Sequence, residues 1–359
     1  QRYREGLLEE IPAIDAVLGT GDIHRLPQVI QQTLAGERLA LIGEPKNLYE
    51  AGTPRILTGR GHSAYVKIAE GCDHRCSFCI IPQLRGPLRS RSMESIYEEV
   101  ETLVAQGVQE IIIIAQDTTS YGLDRYNRPM LASLLQKLVG IRGLAWLRVL
   151  YTYPTNFTPE LMELLAGERK LCTYVDLPLQ HINDQILKRM YRRGRRRQIE
   201  ALVASLKEIP GMVLRSSFIV GFPGEREVHF RELLAFLRDV QFDHVGIFAF
   251  SPQGESPAGR WADQIPEGVK ELRRRRAMET QAAISRRRNR DRIGTIQEVL
   301  IEEVTEAGSV GRTRGQAPEV DGITYLPGQQ LQPGQIVRAK IVGGGTYDLF
   351  AQIARTGTL

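Results

Sequence analysis

Three of the four cysteines of this 359-residue chain fall within eight residues, as Cys72, Cys76 and Cys79 of GCDHRCSFCI. Thiols bunched this way bind something soft. A structural zinc ion takes four protein ligands, and His74 could complete the set, although it sits inside the tight CxxxC loop where wrapping the same ion is awkward. A thioredoxin-like pair needs two cysteines, not three. A cubane iron–sulfur cluster takes thiolates, and three of them leave one iron without a protein ligand. That open iron is a coordination position for a substrate or cofactor. The fourth thiol, Cys172, stands far away in sequence and reads as a small apolar filler.

Something must hold this loop in place, and from about residue 62 a repeated unit appears. β-Branched runs at 64–71, 110–117, 146–154, 174–181, 213–224 and 244–252 alternate with helical patterns such as SMESIYEEVETLVAQG and EVHFRELLAFLRDV. Ser92 suits an N-cap and Gly107 a C-cap. Six strand–helix units predict a parallel sheet with helices outside it. They fit a partial (β/α)6 barrel better than a closed eightfold one, though the runs alone do not separate that from an open doubly wound sheet. Parallel sheets gather ligands at the carboxyl ends of their strands. There the runs end in the cysteine loop, AQDTTSYG, PLQH, GFPGE and SPQG.

The texture changes after residue 292. Short strand-like runs with glycine turns predict a small antiparallel β-barrel. Residues 293–359 carry five basic and seven acidic side chains. A barrel that grips RNA backbone should be positive, so this one suits a basic protein. Two arginine-rich stretches, 188–197 and 270–292, suit a polyanion or a ribonucleoprotein surface; a solvated helix face is the plainer reading. Four cysteines do not make a disulfide scaffold, which points to a reducing, cytoplasmic setting. No apolar run reaches the roughly 18 residues of a membrane span, so no membrane partner is expected. The expected organisation is 1–58, the closing part of an N-terminal α/β domain plus a linker; 59–292, the core with its basic helix; and 293–359, the small barrel.

The CxxxCxxC loop after the first strand, with an aromatic (Phe78) between its last two cysteines, resembles the radical S-adenosylmethionine superfamily. AEGCDHRCSFCIIPQLRGPLRSRSMESI, AQDTTSYG, DLPLQHINDQILKRM and FIVGFPGE together resemble its methylthiotransferases. The closing barrel resembles their TRAM domain. The tRNA-modifying branch usually reads GQNVNSYG and VQSGS where this chain has AQDTTSYG and LQHIN, so the resemblance is nearer to the branch that modifies an aspartate of small-subunit ribosomal protein uS12.

The resemblance implies a [4Fe-4S] cluster on Cys72, Cys76 and Cys79, whose open iron chelates the amine and carboxylate of S-adenosylmethionine. It implies reductive cleavage to a 5′-deoxyadenosyl radical, hydrogen removal from the aspartate β-carbon, and a methylthio product. It implies uS12, met within the ribosomal subunit, as partner, and a flavodoxin-like or ferredoxin-like electron donor to a monomeric enzyme. The family also carries a second [4Fe-4S] cluster on an N-terminal domain. Only the final third of that domain is expected here, in QRYREGLLEEIPAIDAVLG, which leaves sulfur insertion to a missing part.

Cofactor-binding candidates follow from the same ends of strands. Phe78 packs near adenine or shields the cluster. Gln116 and Asp117 stand where the superfamily has a Gly-Gly-Glu motif that holds the methionine amine; the sequence departs from that motif, so the backbone role transfers better than the side-chain role. Gln180 and His181 could touch the ribose or orient the substrate. Ser216 and Ser217, then Gly221, Pro223 and Gly224, would line the approach to a ligand, with the glycines admitting the main chain closely. Phe248 or Phe250 could meet adenine. Arg85, Arg89 and Arg91 could face a carboxylate. Two other readings remain: a tRNA adenosine methylthiotransferase, and a zinc-stabilised RNA-binding module without activity.

Overall fold

The computed structural model describes residues 1–57 and 61–354. The expected boundary at 58/59 lies outside the described residues. The chain opens with a parallel pair, β1 (Ala16–Leu18) and β2 (Leu39–Leu41), joined through the helix Leu26–Leu34.

The core strands follow: β3 (Ser63–Lys67), then the short β4 (Ala69–Glu70) and β5 (Arg89–Ser90), and β6 (Glu110–Ile114), β7 (Trp146–Val149), β8 (Tyr174–Asp176), β9 (Val213–Val220) and β10 (His244–Ala249). β3, β6 and β7 form one parallel sheet, and β8, β9 and β10 another. A parallel bridge between Leu147 and Leu171 joins the two. Six parallel strands therefore curve round in chain order, and among the described residues β3 and β10 stay unpaired with each other. This is the partial (β/α)6 barrel expected from the runs. Helices cover its outside, and apolar runs such as Ile111–Ile113 are buried because both faces of the sheet are covered. Ser92 does cap its helix, accepting from the Ser95 amide.

The small barrel comprises β11 (Ile296–Thr305), β12 (Gly308–Thr313), β13 (Thr324–Pro327), β14 (Ile336–Gly344) and β15 (Leu349–Ile353), closed in the order β11-β12-β13-β15-β14. Four of its pairings are antiparallel; β13 meets β15 in parallel and closes the ring. It is seated at the amino ends of the core strands. Leu300 and Ala317 pack there on Ile112, Trp146 and Tyr174. Glu110, at the start of β6, bonds Arg148 at 2.8 Å and Arg312 of the small barrel at 2.5 Å, and Arg312 also reaches Glu302 at 2.6 Å. The mouth at the carboxyl ends is left for chemistry.

The basic helix is the 25-residue Glu267–Asp291. Much of its charge is used internally. Arg273 bonds Glu225, Arg276 bonds Glu227, and Arg288, with the capping Arg292, converges on Asp243. A polyanion surface built from all of 270–292 is thereby reduced to its exposed remainder. No helix among the described residues is long and apolar enough to cross a membrane.

Candidate functional site

β4 and β5 pair antiparallel and clamp the base of the cysteine loop. Gly71 opens the loop at φ +79°, and a Cβ there would lie 2.0 Å from the Pro87 carbonyl oxygen. Only glycine lets the two ends of the loop approach this closely. The Cys72 amide donates to Gly86 O at 3.1 Å, and the Leu88 amide donates to Asp73 at 3.0 Å. The far side of the loop is held by Ser77, which bonds the main chain of Arg189, Met190 and Ala258.

Cys72, Cys76 and Cys79 all face one cavity of about 430 Å³ at the carboxyl end of the barrel. Phe78, Gln116, Gln180, Tyr153, Lys67 and Arg192 share its wall. Burial pushes the Cys72 thiol up to about 12, and the Cys79 thiol upward too. A pocket that holds thiols neutral needs a cationic centre to turn them into ligands. Among the described residues, no group of three or more His, Cys, Asp or Glu side chains could hold a metal ion. The thiols are thus not preset round a single ion. A cubane makes no such demand, because each thiolate takes a different iron.

His74 lines the same cavity, but its ring is already engaged. Its Nε2 lies 2.7 Å from Asp117 Oδ2, and its ring stacks on Tyr153 at 3.9 Å between centroids. Asp117 is buried and saturated. Besides His74 it accepts from the Thr119 amide and hydroxyl and from Ser120. Burial pushes its carboxyl up, but the bonds from His74, Ser120 and Thr119 outweigh that and hold it below the usual range. Asp117 reaches the cavity only through His74. Gln116 differs: its Nε2 donates to Glu70 at 3.3 Å, while its buried Oε1 has no partner. An unmet acceptor on a cavity wall fits a donor such as an ammonium group.

The remaining candidates divide by strand parity and by partners. In β9, Leu214, Ser216, Phe218 and Val220 are buried, while Arg215, Ser217 and Ile219 are partly open. Ser216 therefore faces the helices, bonding Leu177 O at 2.8 Å, and only Ser217 shares the opposite face with Phe248, which is 55 % exposed. Phe250 packs into the core on Phe222. Gln180, at φ +70°, bridges to β9 through its main chain and turns toward the cavity.

His181 is fully buried. It bonds Glu225 at 3.3 Å, and Glu225 in turn holds the Gly221 amide and Arg273. The glycines of GFPGE admit side chains. A Cβ on Gly221 would meet Lys270 Cγ at 2.3 Å, and one on Gly224 would meet Arg189 at 2.9 Å. Pro223 O accepts from Arg189. The structure thus gathers Phe78, Gln116 and Gln180 with the cysteines, and sets Asp117, His181, Ser216, Ser217, Gly221, Pro223, Gly224 and Phe248 off the cavity wall.

Arg85 and Arg91 are drawn to Glu70 and Glu99, and Arg89 to carbonyls of its own loop. Sequence reasoning passed over Tyr153, Lys67 and Arg192. Lys67 had a signal, being one of two charged residues, with Glu70, in the first β-run.

The radical SAM superfamily model matches residues 66–237, and a TRAM domain model matches 293–354. A ribosomal protein uS12 methylthiotransferase RimO from Pelotomaculum thermopropionicum is 47 % identical over 354 residues, covering 97 % of this chain and 80 % of that one. The protein of that name from Syntrophotalea carbinolica is 48 % identical over 358 residues, covering 98 % and 79 %. Among solved structures, the radical S-adenosylmethionine methyltransferase TsrM from Kitasatospora setae aligns with a TM-score of 0.53 at 20 % identity, covering 68 % of this chain and 52 % of that one. That likeness concerns the fold.

Proposed function

The chain belongs to the family of ribosomal protein uS12 methylthiotransferases, and from that premise we propose that it is a radical S-adenosylmethionine enzyme adding a methylthio group to the β-carbon of an aspartate in uS12. The observation that carries this reading is the cavity faced by three thiols, on whose wall His74 is engaged by Asp117.

Cys72, Cys76 and Cys79 would hold a [4Fe-4S] cluster, one thiolate to an iron, with no fourth side chain offered. When bound, the cluster and S-adenosylmethionine supply a radical strong enough to take an unactivated hydrogen, which acid–base groups cannot do. The chain's own residues position and shield. Gln116, whose buried Oε1 is unpartnered on the cavity wall, would accept from the methionine amine. Phe78, packed among Ile186, Met190 and Phe222, excludes water from one side. His74, held between Asp117 and Tyr153, fixes the loop between the first two cysteines. The electron comes from a flavodoxin-like or ferredoxin-like donor. A second cluster has no ligand set among the described residues, since Cys172 is buried beside Trp146 and Tyr174.

The test uses the anaerobically reconstituted protein with dithionite and a uS12 peptide deuterated at the aspartate β-carbon. Deuterium is expected in 5′-deoxyadenosine, whose formation the peptide stimulates. Stimulation by tRNA and not by the peptide would contradict the assignment.

A further inference from the structure

We propose that Arg192 anchors a carboxylate in the cavity, a role that rests on the function argued above. On that reading two carboxylates enter the cavity, the one on S-adenosylmethionine and the side chain of the substrate aspartate. They share one chemistry, and a guanidinium fork matches it better than an ammonium does, because two parallel N–H groups meet two oxygens.

Two cationic side chains stand on the cavity wall, Lys67 and Arg192. Lys67 is already paired with Glu70. Arg192 has no carboxylate partner among the described residues. In the same arginine-rich stretch Arg189 bonds Asp263 at 2.6 Å and Arg196 bonds Glu200 at 2.7 Å, and neither lines the cavity. The cavity therefore keeps a positive charge that the fold has not neutralised.

That charge is nevertheless fixed in place. The guanidinium carbon lies 4.0 Å from the centre of the Tyr153 ring, and Nη2 donates to Pro178 O at 2.5 Å. His74 stacks on the same ring at 3.9 Å. At these distances the two cannot share a face, so Tyr153 is sandwiched between them. Its hydroxyl accepts from the Arg193 amide at 2.9 Å, which ties the ring to the arginine stretch. A guanidinium has five N–H donors. One is used on Pro178, and the others have no protein acceptor among the described residues. The side chain is ordered before any ligand arrives, which lowers the entropy cost of binding. The same stack, running from Asp117 through His74 and Tyr153 to Arg192, sets the anchor's distance from the cysteine loop.

The experiment measures binding by the anaerobically reconstituted protein, with equilibrium dialysis for S-adenosylmethionine and for a uS12 peptide bearing the aspartate. Arg192→Met keeps the apolar stem and removes the fork; Arg192→Lys keeps the charge alone. Iron content is expected to match the wild type in both. Arg192→Met is expected to weaken one of the two ligands by about 10- to 100-fold, the scale of a charge-assisted pair, with Arg192→Lys falling between. Weakened S-adenosylmethionine binding assigns the anchor to the methionine carboxylate. Weakened peptide binding assigns it to the aspartate, and replacing that aspartate with asparagine should then erase the difference between Arg192→Met and wild type. Binding of both ligands within about twofold of wild type would overturn the proposal, as would a loss of iron, which would make Arg192 a support of the loop. If wild type binds both ligands yet forms no 5′-deoxyadenosine, the functional reading fails while the binding ratios still decide the anchor.

Discussion

Cys76→Ala is expected to lose bound iron and to reduce dithionite-dependent 5′-deoxyadenosine formation to background, while the protein stays folded. Cys76 is the buried member of the three and sits in the middle of the loop. What the loop needs from it structurally is its carbonyl, which accepts from the Cys79 amide at 3.0 Å, and alanine keeps that. The sulfur itself removes little surface from water, so the direct cost in stability is about 1 kcal/mol. Cys172→Ala is the matched control. It empties a site among Trp146 and Tyr174 in the barrel's interior and should lower stability without changing iron content or turnover. Iron assay, product formation and circular dichroism on the two variants separate ligation from packing.

Glu110→Leu is expected to destabilise the protein by about 3–5 kcal/mol, because it leaves the buried Arg148 guanidinium without a carboxylate partner and Arg312 with Glu302 alone. Arg148 and Glu110 are wholly enclosed, and Arg312 nearly so. Arg148 Nη2 already lacks a partner. For a chain of this size the melting temperature should fall by about 4–7 °C. Replacing Glu110 and Arg312 together by leucine should cost less than the sum of the single changes, since both single changes remove the same buried ion pair.

The same network makes stability depend on acid. Burial alone would raise the Glu110 carboxyl, but Arg148 and Arg312 outweigh it and lower it from 4.5 to about 2. A depressed carboxyl contributes stability that is fully present above its unfolded value and is lost as pH falls through its folded one. Thermal melts of wild type should therefore weaken between about pH 4.5 and 2. Glu110→Gln should start lower and lack this part of the slope.

The core was legible because its signals are local. Each strand run and each helix pattern declares its period within a dozen residues, and the cysteine spacing declares its chemistry within eight. What stayed hidden depends on distant partners or on a single step of strand parity. Ser216 and Ser217 look alike in sequence, yet adjacent residues of β9 point to opposite faces, and one of them serves the helices. His181 reads as a site residue until Glu225 and Arg273 close around it, and Arg273 lies 92 positions further along the chain. The glycines of GFPGE read as room for a ligand, but the room is taken by Lys270 and Arg189. Arg192 was masked by the opposite effect. It sits in a run of cations, and nothing in the run reveals which member the fold turns into the cavity.

Everything proposed for this cavity depends on a cluster with an iron that no side chain closes. The most direct measurement is iron and acid-labile sulfide per chain after anaerobic reconstitution, together with the electron paramagnetic resonance spectrum of the reduced protein before and after S-adenosylmethionine is added. About four irons and about four sulfides are expected on the three thiols, with a spectrum that changes when S-adenosylmethionine binds. Zinc without labile sulfide, or a cluster spectrum indifferent to S-adenosylmethionine, would contradict that expectation.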